Sequence, residues 1–199
     1  MIKLSGNAIL KIDRSDSRYQ ALLEVHSRLA NKDSTIWGAA AQVEAAVRLN
    51  WIDLPESSRE LLPALDALYA KHRDKSTVIL CGMGGSSLGP EVIAQSFKKK
   101  LFILDSTDPD YVAHALNVDL AKTIVVVSSK SGSTIETASQ RGLFDSAFTQ
   151  ASLTPQNHMV IVTDPGSPLD KQSRDADYSV INADPVSYTH LTLPTIYSV

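Results

Sequence analysis

Residues 123–137 read Thr123-Ile124-Val125-Val126-Val127-Ser128-Ser129-Lys130-Ser131-Gly132-Ser133-Thr134-Ile135-Glu136-Thr137. The opening run is apolar and β-branched without alternation, the pattern of a strand buried on both faces in the middle of a parallel sheet. From Ser128 to Thr134 the chain is almost entirely hydroxyl, amide and ammonium donor. Ser133 with Glu136 three residues on spells a capping box, which predicts a helix starting there with its first backbone N–H groups facing the loop. Those N–H groups, the positive helix end, several hydroxyls and one lysine together suit a dianion such as a phosphate monoester. An ordinary polar connection into a capped helix is written in the same letters, so this loop alone does not decide between the two.

Working outward, the same strand, loop and helix grammar recurs. Thr77-Val78-Ile79-Leu80-Cys81 is a buried strand, and Gly82-Met83-Gly84-Gly85-Ser86-Ser87-Leu88-Gly89-Pro90 is a glycine-rich turn leading into a helix through Val92, Ile93 and Phe97. Further strands lie at Leu101–Leu104, His158–Val162 and Tyr178–Asn182, each separated from the last by a helical stretch. Five strands alternating with helices predict an α/β fold, a doubly wound parallel five-stranded sheet with right-handed crossovers. Ligands of such sheets lie beyond the carboxyl ends of the strands, where the strand order reverses. The loops after Cys81 and Val127 both leave carboxyl ends, so one ligand can touch both if their strands are neighbours.

The segment before the sheet, residues 1–75, reads as all helical. Ala21, Leu22, Val25 and Leu29 repeat at helical spacing with His26 beside the stripe, read as a partly buried structural histidine. Asp33 or Ser34 can cap a second helix carrying Trp37, Ala41, Ala45 and Val47. A third carries Leu61, Leu62, Leu65, Leu68 and Tyr69, with Pro63 confined to its first turns. No catalytic constellation stands out here.

The whole chain of 199 residues is 43% hydrophobic and 21% charged with a net charge of -3, which allows a real core. It argues against a nucleic-acid or membrane surface, because counterion release needs clustered Lys and Arg. Lys98-Lys99-Lys100 is the one basic run and reads as a solvated helix end. The single cysteine, Cys81, suits a reducing cytosol and reads as a small buried hydrophobe. No stretch is apolar for long enough to span a bilayer and no signal-peptide core is evident, so a soluble cytoplasmic protein is expected.

The turn at Gly82 also opens a G-x-G-x-x-G pattern, with Asp105 placed where a ribose-binding acid belongs. Ser87 stands where its third glycine should be, and the second donor-rich loop would then be surplus. No Walker-type G-x-x-x-x-G-K-[ST] occurs. Two hydroxyl- and glycine-rich loops on one crevice fit better a compact phosphate on a small polar molecule, held by backbone N–H groups and hydroxyls with Lys130 as the charge. Gly84 and Gly85 would let the backbone approach the ligand and Ser86 would add a hydroxyl. Asp108, Asp164 and Asp184 each precede a proline at a strand end and read as turn and N-cap residues. His114 and His158 lack paired ligands, so no metal site and no cofactor is expected.

At the two loops the chain resembles the glucose-6-phosphate isomerase (phosphoglucose isomerase) family. The likeness is supported by Leu104-Asp105-Ser106-Thr107-Asp108-Pro109 and Val162-Thr163-Asp164-Pro165-Gly166-Ser167, and covers roughly residues 30 to 185. The resemblance implies a flavodoxin-like sugar-isomerase (SIS) domain over residues 76–185 that binds a phosphosugar. Ser129, Lys130, Ser131 and Thr134 would hold the substrate phosphate, and Gly85 and Ser86 would line the sugar. It also implies a homodimer for the full-length enzyme and no cofactor. The family's glutamate base, histidine, lysine and arginine come later in its chain, so no catalytic residue is assigned here. Residues 186–199, with His190 among them, resemble nothing in the family. They read as a wrong reading frame or as foreign sequence joined to a truncated chain, and a phosphosugar-sensing SIS module or a nicotinamide dehydrogenase are the other readings.

Overall fold

A computed structural model describes residues 13–182. Asp184, His190 and the stretch 186–199 lie outside the described residues. The chain falls into two compact units, one ending at Asp53 and the other beginning at Leu54.

In the first unit, helix α1 (Ser17–Ala30) is capped by Asp16, whose carboxylate accepts the Arg18 N–H at 2.8 Å. No residue of α1 is buried, and the expected apolar stripe has Leu22 68% exposed. His26 is exposed as well, which corrects the reading of it as partly buried; periodicity names an apolar face, not what covers it. Trp37 does not sit in a long second helix. It ends a single 3₁₀ turn, Ser34–Trp37, closed by Gly38 at φ +83°, and helix α2 (Gln42–Arg48) starts afresh. Asp33 caps that turn as expected, and hydrogen bonds from Thr35 and the Arg28 guanidinium hold its carboxyl at about 2.

The second unit begins with short turns and helix α3 (Leu62–His72), with Pro63 in its first turn, where a missing N–H costs nothing. The sheet comes next: β1 (Thr77–Cys81), β2 (Phe102–Leu104), β3 (Thr123–Ser128), β4 (Met159–Thr163) and β5 (Ser179–Asn182). Its order is β2-β1-β3-β4-β5 and every pairing is parallel. Between the strands run α4 (Gly85–Ser96), α5 (Pro109–Leu116), α6 (Ile135–Gln150) and α7 (Pro168–Asp175). This is the α/β architecture that the buried runs imply. The order reverses between β1 and β3, which pair from Thr77↔Thr123 to Cys81↔Val127.

One face of the sheet, carrying Ile79, Cys81, Val125, Val127, Met159 and Ile161, packs against Ala115 of α5, Phe144 and Phe148 of α6 and Leu169 of α7. Cys81 is fully buried there and its thiol is pushed up to about 12 by that burial, leaving it un-ionised and inert. His158 is also a core residue. Its Nδ1 lies 3.0 Å from the Thr123 carbonyl and its ring stacks on Phe148, so it serves packing. Asp108 caps α5 by accepting the N–H groups of Asp110 and Tyr111. Asp164 does not cap α7: Ser167 does, with its hydroxyl oxygen accepting the Asp170 N–H at 3.0 Å, while Asp164 closes the turn before it.

Candidate functional site

The carboxyl ends of β1 and β3 stand side by side at the reversal, so the two donor-rich loops start as neighbours. Gly82 shows how close they are: a β-carbon there would lie 3.2 Å from the Ser128 carbonyl oxygen and 3.2 Å from the Ser86 side chain. The turn after β1 is shorter than expected. It is Gly82-Met83-Gly84, with Gly84 at φ +58°, and α4 already begins at Gly85. Gly85 and Ser86 are therefore half-buried residues of the first helical turn, and Pro90 lies inside the helix. With glycine as its N-cap residue, α4 has no side-chain cap.

The second loop also differs from expectation at its helix. No capping box forms between Ser133 and Glu136. The helix α6 starts at Ile135 behind Thr134 and has no side-chain cap either. The Ser133 hydroxyl is 2.9 Å from that of Ser131, and the Ser133 N–H donates to the Ser131 hydroxyl at 3.2 Å. The Gly132 N–H donates to the Ser129 hydroxyl at 3.2 Å. Hydroxyls that could have capped the helix instead fold the loop on itself. Both helices open at one edge of the sheet without a side-chain cap; in α4 the Ser86 and Ser87 N–H groups turn back to the Met83 and Gly84 carbonyls, whereas the leading N–H groups of α6 have no acceptor among the described residues, which leaves a positive helix end suited to an anion.

The structure places the candidate residues on this edge in graded exposure. Ser129 is buried, Lys130 and Thr134 are half-buried and Ser131 is exposed. Lys130 has no carboxylate partner among the described residues, so its charge is not neutralised by an ion pair there. A cleft of about 260 Å³ adjoins the loop. It brings together Ser129, Thr134, Thr137 and Arg141 with Leu169 of α7, but not Gly85 or Ser86. Among the described residues no group of His, Cys, Asp or Glu is arranged to hold a metal, and no helix is long and apolar enough to cross a membrane.

Sequence reasoning missed the support beneath the loop. Asp170, buried in the first turn of α7, accepts the Gly166 N–H at 2.7 Å, the Arg174 Nε–H at 2.8 Å and the Asn182 Nδ2–H at 3.2 Å. The Gly166 amide is the main reason its carboxyl lies below the ordinary 3.8, with Asn182 and Arg174 adding to it. A depressed carboxyl lends stability that is complete above its unfolded value and drains as pH falls through the folded one. We expect Asp170→Asn to lower the melting temperature most at about pH 7 and the gap to wild type to narrow below about pH 4. A gap that stays constant from neutral to acid would mean that the ionised form is not what the three donors hold.

The family model described as phosphoglucose isomerase matches residues 68–174. A glucose-6-phosphate isomerase of Chlamydia trachomatis (serovar A) is 38% identical over an alignment of 176 residues that covers 85% of this chain and 32% of the relative. One from Chlamydia caviae is 32% identical over an alignment of 178 residues, with the same coverage of 85% of this chain and 32% of the relative. The crystal structure of a glucose-6-phosphate isomerase from Chlamydia trachomatis D/UW-3/Cx superposes with a TM-score of 0.61 at 32% identity, covering 83% of this chain and 32% of that one. A hypothetical protein from Thermus thermophilus, TT0462, superposes with a TM-score of 0.71 at 30% identity, over 85% of this chain and 40% of that one. The chain spans about a third of the length of the curated relatives it matches.

Proposed function

The chain belongs to the phosphoglucose isomerase family, and on that footing we propose that it carries the phosphate-holding part of an enzyme interconverting glucose 6-phosphate and fructose 6-phosphate. The observation that carries the reading is the pair of neighbouring loops at the strand-order reversal, each running into a helix without a side-chain cap, with Lys130 lacking a carboxylate partner among the described residues. A phosphate monoester there would meet outward N–H groups, the hydroxyls of Ser129, Ser131 and Thr134, and one ammonium. Gly85 and Ser86, opening α4, would face the sugar. The described residues are assigned binding and orientation only. Holding the phosphate fixes where the distant C1–C2 end of an open-chain sugar must lie, which is how remote binding energy serves a proton transfer. The same reading makes residues 76–185 the sugar-isomerase domain, the setting the cytoplasm, and the full-length enzyme a homodimer.

Isothermal titration with glucose 6-phosphate, and with glucose as the control lacking the phosphate, tests the proposal. Glucose 6-phosphate should bind and glucose should not bind measurably. Lys130→Ala should weaken glucose 6-phosphate by about tenfold, the loss of one charge-assisted contact. Equal affinity for the two sugars would remove the phosphate site, and with it the isomerase reading.

A further inference from the structure

The carbonyls of Ser129 and Lys130 turn inward, toward the end of β4, where one side chain meets both. Thr163 is 4% exposed, and its Oγ1 lies 2.7 Å from the Ser129 carbonyl oxygen and 3.3 Å from that of Lys130. It also lies 2.9 Å from the Ser167 hydroxyl, which itself accepts the Asp170 N–H. A threonine has one proton to give, and that fixes the direction of the whole chain. Asp170 N–H donates to Ser167 Oγ, Ser167 O–H to Thr163 Oγ1, and Thr163 O–H to the Ser129 carbonyl with a weaker share to that of Lys130. Every member donates onward in the same sense, so each bond polarises the next. The Asp164 N–H adds a second donor to the Lys130 carbonyl at 3.2 Å, and the Ser129 N–H is tied to the Val162 carbonyl at 3.0 Å.

The consequence for the loop comes from peptide geometry. In a trans peptide the N–H points opposite to the preceding C=O. Pinning the Ser129 carbonyl inward therefore turns the Lys130 N–H outward, and pinning the Lys130 carbonyl does the same for the Ser131 N–H. Neither amide has an acceptor among the described residues. We infer that Thr163 is a positioning residue: its hydroxyl, set by Ser167 and α7, aims the amides of Lys130 and Ser131 at a bound phosphate without touching the ligand. The inference rests on the phosphate site proposed above. The bland alternative is that Thr163 merely satisfies two buried carbonyls.

The full chain, ¹⁵N-labelled, is titrated with inorganic phosphate and with glucose 6-phosphate, following the amide signals of Lys130 and Ser131 in wild type, Thr163→Val, Thr163→Ser and Ser167→Ala. Wild type should show both signals moving with saturation. Thr163→Val, which keeps the shape and loses the hydroxyl, should weaken both ligands by about tenfold in the folded protein. Thr163→Ser should bind within about threefold of wild type, since the hydroxyl is retained. Ser167→Ala removes the donor to Thr163 but not the carbonyl contacts, and should fall between; it carries the test if Thr163→Val does not fold. If Thr163→Val or Ser167→Ala is less stable yet titrates like wild type, Thr163 is only structural and the inference falls alone. If wild type shows no response to either ligand, the phosphate site falls and there is nothing for Thr163 to position.

Discussion

Phe148→Ala should cost about 4 kcal/mol of folding stability, in the middle of the range that a buried aromatic truncation loses. Phe148 and Phe144 are both fully buried on α6, with ring centroids 6.2 Å apart. Phe148 also stacks on His158 at 4.8 Å, and His158 is itself buried at the entry to β4. Transferring one benzyl group out of water accounts for only about 2 to 3 kcal/mol. The remainder comes from the cavity left beneath β3 and β4, where a polar imidazole would face a void in place of a ring. The position does not lend itself to collapse, because His158 is tethered to the Thr123 carbonyl. Urea denaturation should show the loss, and the melting temperature should fall by about 8 to 16 °C. Phe148→Leu, which refills most of the volume, should cost about 1 to 2 kcal/mol. An alanine variant within about 1 kcal/mol of wild type would mean that α6 does not pack on the sheet through this ring.

What the letters revealed, and where they stopped, divides along range. Buried strands announce themselves locally: Val125, Val126 and Val127 cannot sit in an exposed helix without cost, and the alternation of such runs with helices leaves few topologies. The five-stranded parallel sheet therefore came from pattern, while the strand order did not: that β1 and β3 are neighbours, the condition on which the two loops meet, is read from the structure. The start of α6 did not come from pattern either. Ser133 and Glu136 have capping-box spacing, but the Ser131 hydroxyl takes up Ser133, and the loop is drawn down onto Thr163, far along the chain. No local window contains that partner. The cap of α7 is legible at Ser167 and not at Asp164: proline favours the first helical position, so Pro168 marks Ser167 as the cap in the same way that Pro109 marks Asp108. Pro165 after Asp164 offered the same signal one turn too early. The helix α1 shows the converse limit, since its apolar spacing is real while none of its residues is buried.

Gly132→Ala is expected to lower stability by about 3 kcal/mol, and the reason joins the loop to the helix that supports it. Gly132 sits at φ +70°, a left-handed conformation that costs any residue with a β-carbon about 1 to 2 kcal/mol. Space is the second obstacle. A β-carbon there would come within 2.6 Å of the Leu169 β-carbon and 3.0 Å of the Leu169 backbone nitrogen. Trimming Leu169 to alanine cannot relieve this, because the colliding atoms remain. Leu169 belongs to the core at the start of α7, so the loop has to give way, carrying the Ser129 and Lys130 carbonyls off Thr163. Gly166 supplies the control. It has φ +73°, but nothing lies within 4 Å of its would-be β-carbon, so Gly166→Ala should cost only the backbone part, about 1 kcal/mol. Urea titration of both variants separates conformation from collision, and Gly132→Ala should be worse by about 2 kcal/mol. Gly132→Ala should also bind glucose 6-phosphate more weakly than Gly166→Ala when both are compared fully folded, since only the former moves the amides of Lys130 and Ser131. Equal losses in stability would show that the loop from Ser129 to Thr134 does not rest on Leu169, and equal affinities that its seat on α7 does not set the aim of those amides.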